Sequence, residues 1–79
     1  MATFDQRVQN VFREVFEDEG LEVTDDTSPK TLDDWDSFAQ VKLIVGLEEE
    51  FGVKFTTGEV VSFHKAGDLK RALRAKGID

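Results

Sequence analysis

A chain of 79 residues with 39% hydrophobic content and no cysteine is read as a single small domain, 1–79. Packed elements must hold it together, since neither a disulfide nor a thiolate metal site can. Its formal charge of −7 argues against nucleic acid as a partner, because binding to a phosphate backbone relies on Lys and Arg. No apolar stretch reaches membrane-spanning length, and Met1 to Asp5 shows no basic patch leading into an apolar run.

A cytoplasmic protein is therefore expected. The charge is also uneven: residues 14–36 hold ten acids and one lysine, whereas residues 65–76 hold five basic residues and one acid, Asp68. The acidic end suits docking to basic surfaces, although acids also serve simply to keep a small domain soluble.

The first predicted element is an amphipathic helix over residues 4–18. Phe4, Val8, Val11, Phe12, Val15 and Phe16 recur at i, i+3, i+4 spacing and form one apolar stripe. Gly20 is expected to end it. From there to Asp36 the chain is rich in Thr, Asp and Ser and holds the only proline, Pro29. It reads as a loop of unusual length for a compact domain, with Leu21, Val23, Leu32 and Trp35 to pin it down.

The second helix is predicted to begin at Ser37 with Asp36 as its N-cap, where a short acidic side chain accepts an unpaired backbone N–H and complements the helix dipole. It ends near Gly52. Thr56 followed three residues later by Glu59 fits a capping box, opening a third helix of one or two turns that presents Val60, Val61 and Phe63. The last helix, about 67–76, sets Leu69, Ala72 and Leu73 on one face, and Gly77 followed by Ile78 suits a C-terminal cap. The fold class is all-α: four helices, the third short, with a long loop between the first two.

At 100° per residue the second helix carries two apolar arcs, Leu43, Ile44, Leu47 and Phe51 on one side and Phe38, Val41 and Val45 on the other. A bundle core accounts for the first arc. The second either packs under the long loop as ordinary core or faces a partner. The stretch Trp35-Asp36-Ser37-Phe38, followed by Val41, Leu43, Ile44, Leu47, the run Glu48-Glu49-Glu50 and Phe51-Gly52-Val53, resembles the acyl carrier protein family. The resemblance covers nearly the whole chain, to Gly67-Asp68-Leu69, which is similar to the start of the family's last helix.

In that family the serine of an Asp-Ser-Leu motif carries 4′-phosphopantetheine, and Phe38 takes the place of the leucine. The resemblance implies an acyl-carrier four-helix bundle, monomeric, with the arm donated by coenzyme A and attached to Ser37 beside Asp36. It implies a non-catalytic carrier, served by a phosphopantetheinyl transferase and by acyl-loading and acyl-transfer enzymes with basic patches, in fatty-acid, lipid or secondary-metabolite biosynthesis. Phe38, Val41, Lys42, Val45, Glu48 and Glu49 match the family's docking positions. An acyl chain stored inside such a bundle would displace core side chains.

The residues themselves support modification over catalysis. A serine hydroxyl is a weak nucleophile unless a base activates it, and His64 is the only histidine, in a different region. Without the resemblance, Ser37 reads as a capping residue alone. Asp34 and Asp36 do not form an EF-hand loop, because Phe38 occupies the next ligand position, and no metal site is expected. Trp35 reads as an anchor for the loop. His64 is read as a structural or surface residue.

Several positions depart from the family pattern. Lys42 stands at a frequent acid, Thr56 at a frequent proline, Lys65 at a threonine that caps the last helix, and Ala66 at a larger valine. These departures put the seating of the last two helices in question. Gly46, costly in a helix interior by about 1 kcal/mol relative to alanine, marks either the close approach of another backbone or of the acyl chain, or a tolerant surface. An aminoacyl or peptidyl carrier of the D-alanyl type and an unmodified acidic adaptor remain as alternatives, and cargo is set by enzymes this chain does not encode.

Overall fold

The computed structural model describes residues 3–78. Met1, Ala2 and Asp79, on which part of the N-terminal reading and the outer limits of the 1–79 domain rest, lie outside the described residues. Among those described, all regular structure is helical: α1 (Phe4–Val15), α2 (Ser37–Phe51), α3 (Thr57–Val61) and α4 (Ala66–Ala75). The four-helix expectation holds.

α1 opens with a capping box: Thr3 Oγ1 accepts the Gln6 N–H at 3.2 Å and Gln6 Oε1 accepts the Thr3 N–H at 2.9 Å. It ends at Val15, earlier than the expected residue 18, and Gly20 does not terminate it. The stop is a Schellman closure built on a non-glycine residue. Glu17 adopts φ 52°, its N–H donates to Glu14 O at 3.3 Å, and the Asp18 N–H donates to Arg13 O at 3.0 Å. Phe16 thereby lies against Phe12, with ring centroids 6.1 Å apart. Arg13 Nε donates to Leu21 O at 2.7 Å and folds the following loop back over the helix.

α1 and α2 pack antiparallel. The Phe4 and Phe51 rings meet at 5.6 Å, and Arg7 Nε bridges Glu50 at 2.8 Å. Between them, a Cβ placed on Gly46 would stand 2.9 Å from Val11 Cγ1, closer than carbon atoms normally approach. Gly46 does mark a close approach, but of the Val11 side chain, and not of the backbone or acyl chain expected. Val8, Phe12, Leu43, Leu47, Leu69 and Leu73 form the fully buried centre, which confirms the stripe on α1 and the first arc on α2.

The long loop, residues 16–36, has turns but no helix. Trp35 is buried, and Leu21, Val23 and Leu32 pack on the core, as expected. Its middle closes on the start of α4. The Ala66 N–H donates to Thr27 O at 2.8 Å and the Gly67 N–H to Asp25 O at 2.9 Å. Lys65, at the N-cap, gives no side-chain cap, so loop carbonyls do what a threonine side chain would otherwise do. Gly67 is required for this closeness, since a Cβ there would lie 3.0 Å from Asp25 O. Lys70, 7% exposed, completes the attachment by reaching Asp25 at 3.0 Å and Asp5 at 3.4 Å.

α3 has the expected capping box between Thr56 and Glu59 but no fully buried residue. Contacts at its edges hold it: Phe55 meets Phe63 edge-on at 5.4 Å, and Lys76 bridges Glu59 at 2.9 Å. α4 ends as the sequence indicates. Gly77 takes φ 88°, and the Ile78 N–H donates to Leu73 O at 3.1 Å.

Candidate functional site

Ser37 is the first residue of α2, is exposed, and lies at the end of the long loop. Asp36 has extended backbone angles, and its Oδ1 accepts the Ala39 N–H at 2.8 Å. Its carbonyl accepts the Gln40 N–H at 2.9 Å. Asp36 therefore performs the capping. Among the hydrogen bonds of the described residues none involves the Ser37 hydroxyl, and the Ser37 and Phe38 N–H groups find no acceptor, as first-turn donors commonly do not.

Trp35 fixes where this turn sits. Its indole packs edge-on against Phe12 at 5.4 Å, and its Nε1–H donates to Gln40 Oε1 at 2.7 Å. One side chain thus ties the residues just before the serine both to α1 and to the first turn of α2. Gln40 escaped sequence reasoning, because a polar residue five positions after a tryptophan follows no recognised pattern.

Beyond Ser37 the second arc of α2 is open to solvent: Phe38 is 69% exposed, Val41 60% and Val45 46%. The loop does not cover them, so the reading of this arc as ordinary core does not hold. Lys42 sets its ammonium 4.4 Å from the Phe38 ring centroid, a cation–π arrangement one helical turn apart. Glu49 is exposed near the other end. Glu48 differs, being half-buried, with its Oε2 accepting the Phe55 N–H at 2.8 Å. Five of the six expected docking residues thus form one exposed strip, and Glu48 is turned toward the connection to α3.

Two flanking grooves border this strip. One, of about 490 Å³, lies against α1 and is lined by Val11, Glu14, Val15, Val41, Lys42, Val45, Gly46, Glu49 and Glu50. The other, of about 480 Å³, lies toward the α3 side and is lined by Val45, Glu48, Glu49, Gly52, Val53 and Lys54. The part taken by α1 was only partly legible in sequence, where Val11 and Val15 read as core and Glu14 as one of the ten acids of the end suited to docking.

His64 is exposed, and its backbone N–H donates to Asp68 Oδ2 at 2.9 Å. Among the described residues no group of three or more His, Cys, Asp or Glu side chains converges to hold a metal ion, and no helix is long and apolar enough to cross a membrane. Ser37 is thus exposed on a turn that Asp36 caps, beside an exposed apolar strip. Residues 6–73 match the profile of the phosphopantetheine attachment site family, and the chain belongs to that family.

The fold is similar to the solution structure of a holo acyl carrier protein from Geobacter metallireducens, with a TM-score of 0.84 and 35% sequence identity, covering 91% of this chain and 83% of that one. No functionally curated protein matches the chain. As a member of the family the protein is a non-catalytic carrier, modified by a phosphopantetheinyl transferase and bearing covalent 4′-phosphopantetheine.

Proposed function

We propose that Ser37 Oγ is the attachment atom and that the chain is an acyl carrier protein. It presents acyl groups, held as thioesters, to enzymes of fatty-acid, lipid or secondary-metabolite biosynthesis. The observation that carries this reading is the exposed, unbonded Ser37 hydroxyl on a turn capped by Asp36 instead. An arm placed there leaves the helix start intact. The terminal thiol of the arm supplies the thioester chemistry and keeps cargo tethered at high effective concentration.

The chain's own residues make the site fit such a group. The Ser37 and Phe38 N–H groups face outward at the positive end of the α2 dipole, a favourable place for a phosphodiester. Trp35 and its hydrogen bond to Gln40 hold the turn in one place. When coenzyme A is the donor, Ser37 Oγ attacks the phosphorus attached to the pantetheine. The P–O bond to adenosine 3′,5′-bisphosphate breaks, and the hydroxyl proton passes to a base of the transferase. Nothing in this sequence requires a base on the carrier.

Phe38, Val41 and Val45, with Lys42 and Glu49, form the docking strip in this reading, while Glu48 adds its charge from the edge. A soluble cytoplasmic monomer suits a substrate that must visit several enzymes. The test is intact-mass spectrometry after incubation with coenzyme A and a promiscuous phosphopantetheinyl transferase. The wild type is expected to gain one phosphopantetheinyl group and Ser37→Ala none. Equal gain by both proteins would move the attachment elsewhere.

A further inference from the structure

The hydrogen bond between Trp35 and Gln40 fixes which way the Gln40 amide faces. An indole N–H can only donate, so the atom it meets at 2.7 Å is the amide oxygen, Oε1. The two ends of an amide are alike in shape, but this partner leaves no choice between them. The NH2 end is therefore turned away from Trp35. No hydrogen bond among the described residues involves Gln40 Nε2, although the residue is half-buried. Since no buried side-chain nitrogen or oxygen of those residues lacks a partner, Nε2 lies open to solvent.

Its place on the helix sets that end toward Ser37. At 100° per residue Gln40 stands about 60° from Ser37 around α2 and three positions along, where side chains of a helix are neighbours. Trp35 reaches it from the other side, because the indole is packed on Phe12 and Phe16 of α1. Gly46 and Glu50, the positions of α2 that meet α1, lie round the helix in that same direction. Long helical side chains also lean toward the N-terminus, which brings Gln40 up to the first turn. The charged side chains nearby are committed elsewhere. Asp36 gives Oδ1 to the Ala39 N–H at 2.8 Å, and Lys42 holds its ammonium 4.4 Å from the Phe38 ring centroid.

We infer that Gln40 Nε2 donates a hydrogen bond to a non-bridging oxygen of the phosphodiester carried on Ser37, with Trp35 as the positioning residue that aims it. The inference rests on Ser37 being the attachment atom. A phosphodiester spreads one negative charge over two such oxygens and has no proton to give, so a group that presents only N–H on that side suits it, and a bond to a charged acceptor is stronger than a neutral one. The root of the arm is then held by α2 itself while the remainder stays free to swing. A glutamate at position 40 would still accept the Trp35 N–H but would turn an oxygen and a negative charge on the phosphodiester.

The chain supplies its own controls. Its side-chain amides are Gln6, Gln9, Asn10 and Gln40, and the first three lie on α1. ¹⁵N-labelled protein is converted to the holo form with coenzyme A, Mg²⁺ and a promiscuous phosphopantetheinyl transferase, and intact mass confirms one added group. Side-chain amide resonances are compared before and after, and the ³¹P resonance of the holo protein is recorded. One Gln40 Nε2 proton is expected to move downfield, further than any proton of the three controls. In holo Gln40→Glu the ³¹P resonance is expected to leave its wild-type position. In Trp35→Phe, which keeps a ring against Phe12 but has no N–H to donate, the downfield shift of Gln40 is expected to shrink.

Wild-type protein that gains the group while Gln40 moves no further than the controls, or moves upfield, would overturn the contact and leave modification at Ser37 standing. A ³¹P resonance indifferent to Gln40→Glu would do the same. The comparison of apo and holo wild type needs no variant, so it decides the matter even where Trp35→Phe fails to fold. A wild type that gains no group would overturn the attachment reading and this inference together.

Discussion

At the scale of single residues, capping falls to Asp36 and leaves its neighbour Ser37 unengaged. Asp36 takes the N–H that a capping Ser37 would otherwise take, so the serine hydroxyl has no structural task to lose. The cap itself was legible, since Asp36 reads as the N-cap of a helix beginning at Ser37, but the freedom of the serine was not, because Ser37 by itself also reads as a capping residue. Glu17 was not legible: helical periodicity runs on through Phe16, and nothing in a glutamate announces a left-handed residue. With φ 52° it carries the steric cost that glycine avoids at this position of a helix end. Glu17→Gly is expected to stabilise the fold by about 0.5–1 kcal/mol, measured as a higher urea midpoint at unchanged slope.

At the scale of elements, the α1–α2 contact rests on Gly46, where intrinsic propensity and packing act in opposite directions. Alanine at an interior helical position gains about 1 kcal/mol over glycine, but its Cβ would meet Val11 Cγ1 at 2.9 Å. Valine is stiff about χ1 and cannot easily turn aside, and overpacking costs about 1–3 kcal/mol. Gly46→Ala alone is therefore expected to lower the melting temperature. In a Val11→Ala background the same change is expected to raise it. A thermal-melt double-mutant cycle reads both signs, and additivity of the two changes would remove the packing explanation. The sequence showed that Gly46 was anomalous without showing which neighbour made it so, since that depends on how two helices cross. α3 and α4 show the reverse: the Thr56–Glu59 box and the Gly77–Ile78 end were read from local pattern alone, because short-range caps are written in adjacent residues.

At the scale of the whole molecule, the long loop is the part the sequence outlined but did not place. Its apolar anchors were recognisable as isolated hydrophobic residues in a polar stretch. Its attachment to α4 runs through backbone carbonyls of Asp25 and Thr27, which leave no trace in side-chain identity. Asp25 and Asp68 secure this region electrostatically. The hydrogen bond from Lys70, and then its charge, hold the Asp25 carboxyl below its ordinary value of 3.8, while the His64 backbone N–H lowers that of Asp68. Carboxyls more acidic in the folded chain than in the unfolded one contribute stability that is complete above the ordinary carboxylate range and lost as pH falls through it. Urea-unfolding free energies are expected to drop below about pH 4, and less steeply in Asp25→Asn and Asp68→Asn. Trp35 gives the molecule one further property. With a single tryptophan and no tyrosine in the chain, ultraviolet emission excited at the indole band comes from one buried ring, two positions from the serine and packed edge-on against Phe12 of α1. The protein carries its own single-site fluorophore, so a spectral shift upon loading the arm would report strain transmitted into that turn, and the same signal lost on heating would mark the loop leaving the core.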